Sequence, residues 1–129
     1  MAIQAIPAAA AQAGDPRKLA KKAGEQRRAG LFDDAEDSLR KALKIEPDRN
    51  ETKIDLAYVL TKQRRLLDAF NLITPVVEAD PRNSRALGVL GMTLLAGGRF
   101  KEARAVLFRA LQLNRRDHLA WHGYGLLEF

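Results

Sequence analysis

The stretch that decides the fold is residues 84–117, SRALGVLGMTLLAGGRFKEARAVLFRALQLNRRD, because its pattern recurs along the chain at a constant 34-residue interval. A fixed interval of this length, which we call the repeat interval, is typical of stacked supersecondary units, and it accommodates two short helices with their turns. The recurring positions are Ala35, Ala69 and Ala103; Leu39, Ile73 and Leu107; Pro47 and Pro81; Leu87 and Trp121; and Gly91 and Gly125.

These residues resemble the tetratricopeptide repeat. The first helix of each unit carries large apolar, Leu, Gly and Tyr positions, and the second carries two Ala positions before a Pro. Trp121, Tyr124 and Gly125 match the first-helix pattern best. The resemblance implies an all-α, right-handed superhelical solenoid in which the first helices line a concave groove.

The repeat interval also divides the chain. We expect an Ala-rich, flexible leader over residues 1–15, a polar capping-like repeat over 16–49, and repeats over 50–83 and 84–117. Residues 118–129 then hold the first helix of an incomplete fourth repeat, as in a piece of a longer array. The expected helices span residues 16–29, 33–45, 50–63, 67–79, 84–96 and 101–113, with a seventh from residue 118.

Side-chain chemistry predicts how these helices begin and approach one another. Asp15, Asn50 and Ser84 are residue types that cap helix N-termini. Gly91 and Gly125 stand at a position where a larger residue would overpack the crossing between two helices.

Composition excludes several classes of protein. The 129 residues include no cysteine, so neither disulfides nor thiolate metal sites are available. No apolar run is long enough for a membrane span. The compartment is left open: cytoplasmic by default, or periplasmic or secreted if Ala11-Gln12-Ala13 is the remnant of an export signal, although no basic residue precedes it.

Catalytic and metal-binding motifs are not expected. His118 and His122 have the i, i+4 spacing of metal ligands, but the residues between them supply no glutamate for a zinc-hydrolase motif. No phosphate-binding glycine loop or nucleophile arrangement accompanies them. The sequence therefore predicts a protein without enzymatic activity, cofactor or metal.

The resemblance instead implies a protein-interaction scaffold that holds a peptide or a partner-protein segment in its groove. The net charge of +6 favours a partner with acidic flanks. The variant of the family that binds chaperone carboxylates is not expected, because only Arg85 fits at its matching positions and Asp55 would repel a carboxylate. The candidate groove contacts are Arg17 and Arg27; Ile54, Tyr58 and Lys62; Arg85, Met92 and Leu95; and His122.

Two alternatives stay open. Trp121, Tyr124 and Leu127 would lack a covering helix and could form an interface between copies of the chain. The positive charge could also serve RNA, but the complete repeats place only one aromatic residue, Tyr58, in the expected groove, which is few for base stacking. We therefore expect a protein partner, or a second copy, rather than nucleic acid.

Overall fold

The computed structural model describes residues 14–127, so residues 1–13 of the expected leader lie outside the described residues. Within this region the chain forms seven α-helices; the first six lie within one residue of their expected bounds, and the seventh begins at the expected residue. They are α1 (Pro16–Arg28), α2 (Phe32–Ile45), α3 (Asn50–Lys62), α4 (Leu66–Ala79), α5 (Ser84–Ala96), α6 (Phe100–Leu113) and α7 (His118–Leu126).

Side chains cap several of the helix N-termini. Asp15 Oδ1 accepts a hydrogen bond from the Arg17 amide over 2.8 Å, as predicted. The other two predicted caps are wrong. Asn83, not Ser84, caps α5 by accepting from the Ala86 amide, and α3 follows Arg49 without a capping side chain. A capping residue needs extended backbone before the first helical residue, and Asn83 has that conformation.

The turn inside each helical pair contains one residue with left-handed backbone. Gly30, Arg64 and Gly98 occupy this position, one repeat interval apart, with φ angles of 80°, 64° and 79°. Glycine adopts this conformation without steric cost, whereas arginine adopts it only at a steric cost because it has a Cβ. The comparison therefore identifies Arg64 as the strained member of the set.

The core lies between the helices of each pair and between successive pairs. Ala35, Ala69 and Ala103 are fully buried, which lets paired helices approach closely. Leu107 fills the space between α5 and α7. A Cβ added to Gly91 would lie 2.4 Å from Leu107 Cδ2, but one added to Gly125 would meet no atom of residues 14–127 within 4 Å. The expected close crossing therefore occurs at Gly91 and not at Gly125.

A network of charged groups joins the second helices α2 and α4. Glu36 accepts hydrogen bonds from Arg40 over 2.7 Å, from Gln63 over 3.2 Å and from Arg65 over 2.8 Å. Partial burial raises the pKa of Glu36, but these donors stabilise the carboxylate more strongly, so the net result is a lowered pKa.

Successive first helices lie side by side. The helix α5 contacts both α3 and α7, while each second helix packs against its own first helix and the next one. This arrangement is an all-α solenoid whose first helices form one continuous face. Across residues 14–127, no helix combines the length and apolar character needed to cross a membrane.

Candidate peptide-binding groove

The continuous face of first helices contains an open cleft of about 840 Å³. Four cationic side chains line it, and all four first helices contribute residues. We call it the basic cleft, and its lining residues are Arg27, Arg28, Phe32, Tyr58, Lys62, Ser84, Arg85, Asn114, Asp117, His118, Leu119 and His122.

Two cationic side chains of the basic cleft lie over the ring of Tyr58. The Arg27 guanidinium lies 5.3 Å from the centre of the Tyr58 ring, and Lys62 Nζ lies 5.5 Å from it. Cations over an aromatic face are attracted by its quadrupole. The ring therefore holds two long, flexible side chains in place at the edge of the cleft.

An apolar pocket of about 300 Å³ adjoins the basic cleft and shares Tyr58 and Lys62 with it. Its lining residues are Tyr58, Thr61, Lys62, Arg64, Met92, Leu95, Ala96 and Leu126. Leu95 is half-buried and Leu126 is 52% exposed, so both present apolar surface. The face thus offers an apolar site and a cationic site side by side.

The predicted contacts distribute unevenly between these two sites. Arg27, Lys62, Arg85 and His122 line the basic cleft, whereas Arg17 is exposed and lines neither site. The prediction for Ile54 is wrong, because this side chain is 1% exposed and packs in the core.

Three further predicted contacts, and one missed residue, refine the two sites. Tyr58 and Leu95 line the apolar pocket, but Met92 reaches it with only an edge, being 9% exposed. Arg28 lines the basic cleft and was missed, although it precedes Lys62 by one repeat interval and this spacing could have identified it.

Next to the basic cleft, but outside its lining, Asp55 of α3 forms an ion pair with Arg85 of α5. The Asp55 side chain is 24% exposed and that of Arg85 is 50% exposed. Burial raises the pKa of Asp55, and its effect exceeds the opposing attraction of Arg85 and Arg27. The carboxylate is therefore poorly solvated and depends on its cationic neighbours.

A second apolar site lies on another face, between α6 and α7. We call this space of about 550 Å³ the aromatic pocket; Phe108, Leu111, Gln112, Arg115, Trp121 and Tyr124 line it. The Trp121 ring is 53% exposed and its Nε1 donates to the Arg115 carbonyl over 2.6 Å. The Tyr124 and Phe108 ring centres lie 6.3 Å apart.

Leu127 does not belong to this exposed set. It is half-buried and packs against the core between α5 and α6, so the expectation that it lacks a cover is wrong. His118 and His122 both face the basic cleft. Among residues 14–127 no group of three histidine or carboxylate side chains is arranged to hold a metal ion.

The helical pairs, the constant repeat interval and the continuous face of first helices define an α-helical repeat protein. The family model described as "Tetratricopeptide repeat" matches residues 60–126, which is more than half of the chain. The chain belongs to the tetratricopeptide repeat family. A search of curated proteins returned no match.

Solved structures show the same fold. The first such domain of Spaghetti (RPAP3), bound to the HSP90 peptide SRMEEVD, is 18% identical with a TM-score of 0.74, covering 88% of this chain and 90% of that one. The corresponding domain of OM64 from Arabidopsis is 18% identical, with a TM-score of 0.75 and coverage of 88% and 93%. A thermophilic protein of the same family from Thermus thermophilus is 22% identical, with a TM-score of 0.79 and coverage of 88% and 64%.

Proposed function

We propose that this chain is a non-catalytic scaffold that binds a segment of a partner protein along its face of first helices. The segment carries an apolar anchor residue next to acidic residues. The anchor enters the apolar pocket beside Leu95 and Leu126, while the acidic residues meet Arg27, Arg28 and Lys62 in the basic cleft. The observation that carries this proposal is that the two sites share Tyr58 and Lys62.

Charge supports an acidic rather than a neutral segment. The basic cleft is lined by four cationic side chains against one carboxylate, that of Asp117. Clefts lined by one sign of charge concentrate oppositely charged ligands and accelerate their association. A domain with the same fold, the first such domain of Spaghetti (RPAP3), binds the HSP90 peptide SRMEEVD, in which Met is followed by two glutamates. In this chain Asp55 stands beside Arg85, which disfavours capture of a single terminal carboxylate.

The test is fluorescence polarisation with labelled peptides in which one leucine is flanked by four glutamates or by four lysines. We expect binding of the acidic peptide only. Replacing Arg27 and Lys62 together by glutamine removes two charges from the cleft and weakens binding about tenfold. The matched control replaces Lys101 and Arg109 by glutamine, because both are exposed on α6 outside the two sites.

Separate variants test the role of the apolar pocket in binding. Leu95→Ala shortens the lining of the apolar pocket and weakens binding about fivefold, while Leu67→Ala, at a side chain that is 72% exposed on α4, leaves it unchanged. Equal affinity of all variants would refute the groove assignment. Tighter binding of a single-stranded oligouridine than of the acidic peptide would establish the chain as an RNA-binding protein instead.

A second candidate function is self-association of two copies through the aromatic pocket. The observation in its favour is a comparison between repeats: Leu87 and Leu90 precede Trp121 and Tyr124 by one repeat interval and are buried, with Leu87 packed in one cluster with Leu107 of α6. The pocket thus continues the packing between successive repeats, and a helix of a second copy would cover it in the same way.

Sedimentation analysis over a range of concentrations tests this candidate. If copies associate through the pocket, the wild type shows a concentration-dependent dimer that Trp121→Gln abolishes. Leu67→Gln, a change at a more exposed apolar residue elsewhere, retains it. A wild type that stays monomeric throughout, or a dimer that survives Trp121→Gln, would exclude the aromatic pocket as the interface.

A further inference from the structure

Asp55 lies close to two cationic residues of the basic cleft. Arg27 and Arg85 line the basic cleft, and they also line a small cavity of about 40 Å³ to which Asp55 belongs. Asp55 does not line the cleft itself. Asp55 therefore meets Arg27 and Arg85 at this small cavity, outside the lining of the basic cleft.

This position has a direct electrostatic consequence. The ion pair between Asp55 and Arg85 neutralises one of the four cations that line the cleft. An anionic ligand that approaches Arg85 must compete with a carboxylate that is already bound to it and is poorly solvated. Because fixed charges at such short range interact strongly at a partly buried site, this competition is costly for a ligand with one negative charge.

Stacking of the repeats does not account for the charges of this pair. The same two positions hold Lys21 and Glu51 one interval earlier, with the signs reversed, and Val89 and Leu119 one interval later. At that later junction Leu119 packs against the apolar cluster that contains Val89. An apolar pair thus joins first helices at this position, so the fold itself does not require Asp55 to be charged.

We propose that Asp55 is a specificity-determining residue that masks Arg85, so that the basic cleft binds segments with several negative charges and rejects segments with one. This inference rests on the proposed peptide-binding function. A segment with several carboxylates binds Arg27, Arg28 and Lys62 without needing Arg85. A segment with one carboxylate gains too little from any single cation.

The experiment compares two labelled peptides, one with four glutamates and one with a single glutamate, by fluorescence polarisation with the full chain. The wild type binds the first at least about tenfold more tightly. Asp55→Asn exposes the charge of Arg85 and tightens binding of the single-glutamate peptide about fivefold, which narrows this ratio. The matched control is Asp37→Asn, which removes the same charge from an exposed position on α2 and changes affinity by less than about twofold because solvent and salt screen it.

A double variant distinguishes the loss of the Asp55 charge from a loss of packing around Asp55. Asp55→Asn combined with Arg85→Gln removes the masked pair as a unit, and the four-glutamate peptide then binds within about twofold of the wild type. A tenfold loss in the double variant, or weaker binding of the single-glutamate peptide to Asp55→Asn, would show that Asp55 positions Arg85 for direct contact and would overturn the inference. Failure of the wild type to bind either peptide would refute the peptide-binding function, and this inference with it.

Discussion

Alanine substitutions at Gly91 and Gly125 should change stability in opposite directions, although the two glycines are related by one repeat interval. A Cβ at Gly91 would lie 2.4 Å from Leu107 Cδ2 and 2.5 Å from its Cγ. Leu107 is fully buried, and it also packs closely against α7, since a Cβ added at Gly123 would lie 3.0 Å from its Cδ1. Leu107 therefore packs closely against two glycines.

The magnitude follows from two opposing contributions. Overpacking of a tight core costs about 1–3 kcal/mol, and the close packing of Leu107 places Gly91→Ala at the upper end of that range. Replacing a helical glycine by alanine recovers about 1 kcal/mol. The net loss is about 2 kcal/mol, equivalent to a fall of about 8 °C in Tm for a domain of this size. Gly125→Ala meets no described atom and, near the end of α7, gains about 0.5 kcal/mol.

Urea and thermal unfolding, followed by far-UV circular dichroism, measure both variants against the wild type. A double-mutant cycle of Gly91→Ala with Leu107→Ala assigns the cause, because removing the leucine relieves the clash and should give a favourable coupling of about 1 kcal/mol or more. Free energies of unfolding for Gly91→Ala and Gly125→Ala that agree within about 0.5 kcal/mol would show that the packing around Leu107 adjusts freely, and the argument would fail.

Three further changes test individual features of the fold. Arg64→Gly removes the strain of a Cβ in the left-handed backbone conformation and should raise the free energy of unfolding in urea by about 1 kcal/mol. Arg64→Ala keeps the Cβ and should give no such gain. Equal free energies of unfolding for the two variants would contradict the inference that Arg64 is strained. Thr93→Val removes a buried hydroxyl that lies 2.7 Å from the Thr61 hydroxyl and should cost about 1 kcal/mol in thermal unfolding, with Thr74→Val, at a partly exposed residue, as the milder control. Glu36 has a lowered pKa in the folded state, so its contribution to the free energy of unfolding is present above its ordinary pKa of 4.5 and is lost as the pH falls through the folded pKa. Glu36→Gln should therefore flatten the decline of the free energy of unfolding with falling pH in that acidic range. An unchanged slope of stability against pH would refute the role of Glu36.

Periodicity in the sequence was sufficient to predict the first six helices to within one residue and the start of the seventh, because each small or large apolar position repeats where the packing repeats. It could not predict the degree of burial. Ile54 and Tyr58 lie one turn apart on α3, yet Ile54 is covered by α5 while Tyr58 stays half-buried at the edge of two sites. Such differences in burial depend on which side chains of the neighbouring helices reach across to the residue. The role of Asp55 was incomplete for the same reason: the sequence predicts that it repels a carboxylate, but not that it forms an ion pair with Arg85.

Counting charges along the chain also gives an incomplete view of the groove. Residues 50–83 carry no net charge, yet they contribute Lys62 to the basic cleft. One acidic residue of this range pairs away from the cleft, since Asp68 pairs with Arg65, which in turn bonds to Glu36 across α2 and α4, whereas Asp55 pairs with Arg85 of the basic cleft. Because the second helices contain much of the acidic side of the ion pairs, the first helices are left with an excess of cations. The three-dimensional pairing of charges, rather than the net charge of any repeat, therefore determines how many unpaired cations line the basic cleft.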